Sequence, residues 1–188
     1  STDTYNEIDD QFALIQMLFS EDRINVKSIN AAPFSMNSRS DNAEKGMELS
    51  YDEIFRLLEK INFERDNFVF KGSKQYVGFD KKPISSAAAD NIIESSLKCS
   101  EENPLYVIAI GAISNVASAI LKEPEIIKKI VVVWLGGNAL YWPQNSEFNL
   151  KQDVGGAQVL FDSGVSLVMI PCKGVTSHLT STVPEIEN

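Results

Sequence analysis

Histidine is nearly absent from this sequence, with His178 alone among 188 residues, so no chemistry that needs a pair of histidines can be built from it. Cysteine is almost as scarce. Cys99 and Cys172 stand far apart with no CxxC spacing, which argues against both a disulfide framework and a zinc site. Long apolar runs are missing too: the longest are strand-sized, so no membrane partner is expected. A basic and apolar leader is likewise not visible at the start, which makes a cytoplasmic setting the default expectation. Basic residues are outnumbered, 17 Lys and Arg against 26 Asp and Glu, for a formal net charge of -9. A phosphate backbone is bound through a basic face, so nucleic acid is not an expected partner. Neither a GxGxxG nor a Walker pattern occurs, and the Gly136-Gly137 pair is therefore not read as a nucleotide-phosphate turn.

What is abundant is carboxylate at one place. Asp3, Glu7, Asp9 and Asp10 fall within eight residues, ahead of an apolar run from Phe12 to Phe19 and with no basic residue among them. Helix N-termini favour acidic residues, so Asp9 or Asp10 can be accounted for as a cap. Asp3 is not explained in that way, and hard cations such as Ca²⁺ and Mg²⁺ take such oxygen donors. A solvated acidic loop is the competing reading.

Four short apolar runs, at residues 26–32, 105–110, 130–135 and 166–170, read as buried strands. Helix-period segments lie between them. Met47, Tyr51, Ile54, Leu58 and Ile61 form one stripe; a second helix is expected from Ser114 as N-cap towards Pro124; a third should follow Asp153 and stop at Gly164. Alternating strands and helices imply an α/β fold, an open, mostly parallel, Rossmann-like sheet with helices on both faces, in one domain over residues 1–188. Ligands of such sheets bind beyond the carboxyl ends of the strands. The polar segments there are residues 33–42, 111–115, 136–149 and 172–178. Within them Glu147 and Asn149 would point the same way on an extended backbone and so match adjacent hydroxyls, as on a sugar; a solvated surface loop explains them equally.

The acidic loop, Gly111 to Asn115, Trp134 to Gly137, Ser146 to Asn149 and Ile170 to Thr176 together resemble, in order and over nearly the whole chain, the nucleoside hydrolases, the inosine-uridine preferring nucleoside N-ribohydrolase family. The resemblance implies Ca²⁺-dependent hydrolysis of the N-glycosidic bond of a ribonucleoside to ribose and free base. By position it implies Asp3, Asp10 and a backbone oxygen of Ser114 as Ca²⁺ ligands, with Asp9 as the base that deprotonates the metal-bound water. It also implies Asn37, Glu147 and Asn149 as sugar contacts, Trp142 as a pocket wall, and a homo-oligomer, dimer or tetramer. Five residues separate Asp3 from the Asp pair where the family has three, as in a divergent branch. The family Asn between the Gly-Gly turn and Glu147 has no matching position here; Asn138 and Asn145 are the candidates, with Trp142 lining the pocket as the alternative. Family members also continue for about a hundred residues that carry a His–Asp pair, and a strand should precede the acidic loop, so a first strand and a C-terminal part are expected to be missing. The alternative class is a catalytically silent ribose or nucleoside binder. A Mg²⁺-dependent phosphatase is the weaker third reading, because no basic residue accompanies the acidic loop.

Overall fold

A computed structural model describes residues 1–187. Its elements in chain order are α1 (Ile8–Leu18), β1 (Ile29–Asn30), α2 (Ala43–Lys60), β2 (Val69–Phe70), α3 (Ala87–Leu97), β3 (Leu105–Ala109), α4 (Ser114–Lys122), β4 (Ile130–Leu135), α5 (Phe148–Gln152), α6 (Val154–Asp162), β5 (Ser166–Ile170) and α7 (Val183–Glu187). All strand pairs are parallel: β1 with β2, β3 with β4, and β4 with β5. Among the described residues no helix is long and apolar enough to cross a membrane.

The two ladders are joined by the first residues of the chain. Thr2 bridges Ala31 in parallel, its N–H donating to Asn30 O at 2.9 Å and its carbonyl accepting from Ala32 N at 2.7 Å. On the other side the Ser1 nitrogen donates to Ile108 O at 2.6 Å, and Ser1 O accepts from Ile110 N at 2.9 Å. Residues 1 and 2 thus occupy a central strand position, and the spatial order reads β2, β1, residues 1–2, β3, β4, β5. This is the doubly wound order, and its reversal falls between residues 1–2 and β3. Behind Ser1 the same position continues as a largely apolar groove of about 730 Å³ between residues 24–30 and 103–110.

Helices cover both faces, as right-handed crossovers require when strand order reverses. One core packs Leu14 and Leu18 of α1 and Met47, Ile54, Leu57 and Leu58 of α2 against Ile29 and Ala31. The other packs α3, α4 and α6 around Val107, Ala109, Val132 and Trp134. β3, β4 and β5 occur where short β-branched runs announce them. The 26–32 run is shorter in the structure, with only Ile29–Asn30 as strand, because residues 26–28 border the groove and lack a neighbour on that side. α3 and the two-residue β2 have no counterpart in the sequence reading.

Candidate active site

The reversal point of the sheet carries a cleft of about 760 Å³, and Asp3, Asn6, Glu7, Asp9, Asp10, Asn138, Trp142, Glu147, Asn149 and Lys173 are among its lining residues. Its position follows from topology, since the connections leaving the two strands at the reversal pass to opposite faces of the sheet and leave a crevice at the strands' C-terminal ends.

Asp3 leaves the central strand position directly into this crevice. It is buried, with Oδ2 accepting from Asn6 Nδ2 at 3.0 Å. Gly111, just beyond β3, provides the room: a Cβ there would lie 2.6 Å from Asp3 Oδ1. Asp10 sits in the first turn of α1, equally buried, and accepts a short hydrogen bond from Thr2 Oγ1. Burial, reinforced by the charge of Asp10, pushes the Asp3 carboxyl well above the ordinary carboxylate range. Burial likewise raises Asp10 to about 7; the Thr2 hydrogen bond opposes this and the charge of Asp9 adds to it. Asp9 and Glu7 are exposed at the cleft wall.

Asp9 and Asp10 lie within helix α1, not in a loop before it, and Glu7 occupies the N-cap position without a side-chain cap bond. Ser114 also differs from its expected capping role. It is the first residue of α4, after Ile113 as N-cap, and its buried hydroxyl donates to Asp153 Oδ2 at 2.6 Å. It is not among the cleft-lining residues. Asp153 is the organiser here. Its carboxylate also accepts from Val77 N at 2.9 Å, Gly78 N at 3.0 Å and Gly156 N at 2.9 Å, capping α6 as anticipated and fixing the start of α4 as well.

Asn37 stays outside the cleft lining as well. Its Oδ1 accepts from Arg39 N and Ser40 N at 3.0 and 3.1 Å, while its Nδ2 donates to Asn6 Oδ1 at 2.7 Å. Asn6 in turn donates to Asp3, so Asn37 acts on the acidic pair through Asn6. Nothing but proximity to the carboxylates marked Asn6 in the sequence.

Glu147 and Asn149 both reach the cleft, but not on an extended backbone, because Phe148 opens helix α5 and Glu147 is its N-cap. Glu147 Oε2 accepts from Gly137 N at 2.7 Å and Leu150 N at 2.9 Å, and Oε1 accepts from Asn149 N at 2.9 Å. Asn149 Nδ2 donates to Ile110 O and Leu135 O, at 2.9 and 3.0 Å, and clips the ends of β3 and β4 together. Asn138 and Asn145 are bonded to each other, Asn138 N donating to Asn145 Oδ1 at 2.9 Å, and of the two Asn138 lines the cleft. Trp142 is exposed on the cleft wall.

Two neighbouring carboxylates, both pushed up by burial, form a donor set suited to a hard cation, which would keep both ionised. Asp3 and Asp10 are that pair. No group of three or more His, Cys, Asp or Glu side chains is preassembled for a metal among the described residues.

A doubly wound parallel sheet with buried carboxylates at its switch point makes this an α/β protein of the Rossmann-like class. Over residues 1–188 the chain matches the inosine-uridine preferring nucleoside hydrolase family, and it belongs to that family. It is 32% identical over 74 residues to the pyrimidine-specific ribonucleoside hydrolase RihA of Escherichia coli, covering 38% of this chain and 24% of that protein. To the non-specific ribonucleoside hydrolase RihC of Shigella flexneri it is 25% identical over 180 residues, covering 89% of this chain and 59% of the relative. Among solved structures, the purine-preferring ribonucleoside hydrolase from Gardnerella vaginalis superposes with a TM-score of 0.53 at 25% identity, over 66% of this chain and 48% of that one. The inosine-uridine preferring nucleoside hydrolase from Bacillus anthracis shares the fold, with a TM-score of 0.50 at 18% identity over 88% and 52% of the two chains. The matched stretch therefore spans between a quarter and three fifths of these relatives' lengths.

Proposed function

We propose that this protein hydrolyses the N-glycosidic bond of ribonucleosides, releasing ribose and a free base, with Ca²⁺ held by Asp3 and Asp10. The observation that carries this reading is the buried Asp3–Asp10 pair at the switch point of a nucleoside hydrolase family sheet. A divalent cation there would acidify a coordinated water and offset the repulsion between the two carboxylates.

The chain's own groups divide the remaining work. Asp9, exposed on the same helix turn and lining the cleft, accepts the proton of the attacking water. Asn6, braced by Asn37, holds the orientation of Asp3. Asn149, with its Nδ2 fixed to two strand-end carbonyls, keeps Oδ1 for a ribose hydroxyl. Glu147 fixes the turn at Gly137 and offers any remaining acceptor capacity to the sugar. Trp142 walls the end of the cleft that receives the base.

Release of base from inosine and uridine, measured with EDTA and then with added Ca²⁺, tests the proposal. Turnover abolished by EDTA and restored by Ca²⁺ is the expected result. Turnover indifferent to EDTA would overturn the metal role, and nucleoside binding without turnover would identify a silent binder.

A further inference from the structure

We propose that the Lys173 ammonium stabilises the departing base, an inference that rests on the hydrolase reading above. Five carboxylates line the cleft, those of Asp3, Glu7, Asp9, Asp10 and Glu147, and among the described lining residues Lys173 is the single Lys, Arg or His. Its ammonium takes part in no ion pair among the described residues, so the charge is not consumed by a structural partner.

The backbone around Lys173 is held in place. Its N–H donates to Asn138 Oδ1 at 3.1 Å and its carbonyl accepts from Ala139 N at 2.9 Å, while the preceding Cys172 N donates to Gly137 O at 2.8 Å. The following Gly174 has φ +97°, and a Cβ there would lie 2.6 Å from Tyr141 Oη, so only glycine lets this turn press so closely on the Trp142 loop. Lys173 and Trp142 are thereby presented to the cleft by two loops stitched together, Lys173 just beyond the C-terminal end of β5.

The chemistry requires a donor at that place. In hydrolysis the C1′–N bond breaks and its electron pair passes to the base nitrogen. The water oxygen bonds to C1′ as its proton passes to Asp9, and the base is later protonated by solvent. A base leaving as an anion meets a field of carboxylates, which opposes its charge. An ammonium N–H hydrogen-bonded to an acceptor of the base, such as a pyrimidine O2 or a purine N3 or N7, stabilises that charge as it develops. Substrates would then be nucleosides with a poor leaving base that presents such an acceptor.

The test compares Lys173→Met and Lys173→Arg with wild type in the intact protein, on inosine, uridine and 4-nitrophenyl riboside. Nitrophenolate leaves without assistance. For Lys173→Met, kcat on the nucleosides should fall by about 10²-fold, whereas the change on 4-nitrophenyl riboside should stay under about threefold. Lys173→Arg, which retains a charged donor, should recover most of the nucleoside activity. Equal losses on all three substrates, or no loss on any, would overturn the assignment. A wild-type protein inert towards all three would instead overturn the hydrolase reading, and this proposal with it.

Discussion

Replacing Asp153 by Ala should be among the most damaging single changes in the chain, although Asp153 is not a cleft residue. Its buried carboxylate accepts from Val77 N, Gly78 N, Gly156 N and Ser114 Oγ, at 2.6 to 3.0 Å. Hydrogen bonds to a charged group contribute about 1.5–3 kcal/mol each. The four do not add, because the loop at residues 77–78 can relax towards water. A loss of about 3–5 kcal/mol is therefore expected, since deleting the carboxylate leaves several buried neutral donors unsatisfied at about 1–3 kcal/mol each. Against a typical stability of about 5–15 kcal/mol, that is roughly a fifth or more of the total. At about 2–4 °C per kcal/mol, the melting temperature should fall by roughly 10 °C. Urea unfolding followed by fluorescence of the fully buried Trp134 measures it, with an unchanged m-value confirming that the native state has been destabilised. A shift in stability below about 1 kcal/mol would refute the role assigned to Asp153.

Three further outcomes follow from the site and the sheet. In the metal-free protein Asp10 has a folded pKa of about 7 against an ordinary 3.8, so the folded state binds the proton more tightly; this stabilisation is full below about pH 4 and is lost as pH rises through 7. The span corresponds to roughly 4 kcal/mol at most; urea midpoints in EDTA between pH 4.5 and 7.5 should fall for wild type and fall less for Asp10→Asn, and a wild-type rise relative to Asp10→Asn would contradict the assignment. Gly111→Ala would place a Cβ 2.6 Å from Asp3 Oδ1, so Ca²⁺ affinity measured by calorimetry should weaken by about tenfold or more, equivalent to about 1.4 kcal/mol; unchanged affinity would remove Asp3 from the ligand set. Extending the chain at Ser1 with four large apolar residues should place them in the 730 Å³ groove, where burial of about 1.5–3 kcal/mol per side chain offsets ordering costs of similar size and new ladder hydrogen bonds of about 0.5–1.5 kcal/mol each supply the surplus; the melting temperature should rise by several degrees relative to a Gly-Ser extension, and equal melting temperatures would show that the groove does not accept a strand.

The legible parts of the fold were those set by local pattern. β3 and β4 alternate buried with half-buried positions between Gly, Pro or polar flanks, β5 forms where expected but at the sheet edge with no buried residue, and Asp153 and Gly164 bound α6 as their chemistry dictates. α3 was not seen because its Ala, Ser and Asn content gives a weak apolar stripe, even though Ser86 caps it by accepting from Ala89 N. β2 is two residues long and carries no periodicity at all. In the site, Asp3, Asp9, Asp10, Glu147, Asn149 and Trp142 do converge on one cleft, as their placement at strand ends implied. Ser114 and Asn37 lie outside the cleft lining, and their side-chain partners, Asp153 and Asn6, are 39 and 31 residues away, pairings that local sequence does not reveal. Likewise Ser35 and Gln152 exchange two hydrogen bonds, of 2.8 and 3.1 Å, across 117 residues.

The central claim is that the Asp3–Asp10 pair holds a divalent cation for glycosidic hydrolysis. Release of hypoxanthine from inosine by the intact protein, with Ca²⁺ titrated back after EDTA treatment, tests it most directly in wild type and Asp10→Asn side by side. Saturable recovery of turnover in wild type, and recovery at least about 10²-fold lower in Asp10→Asn, is the result the account predicts. Equal turnover of the two proteins, or wild-type turnover untouched by EDTA, would contradict it.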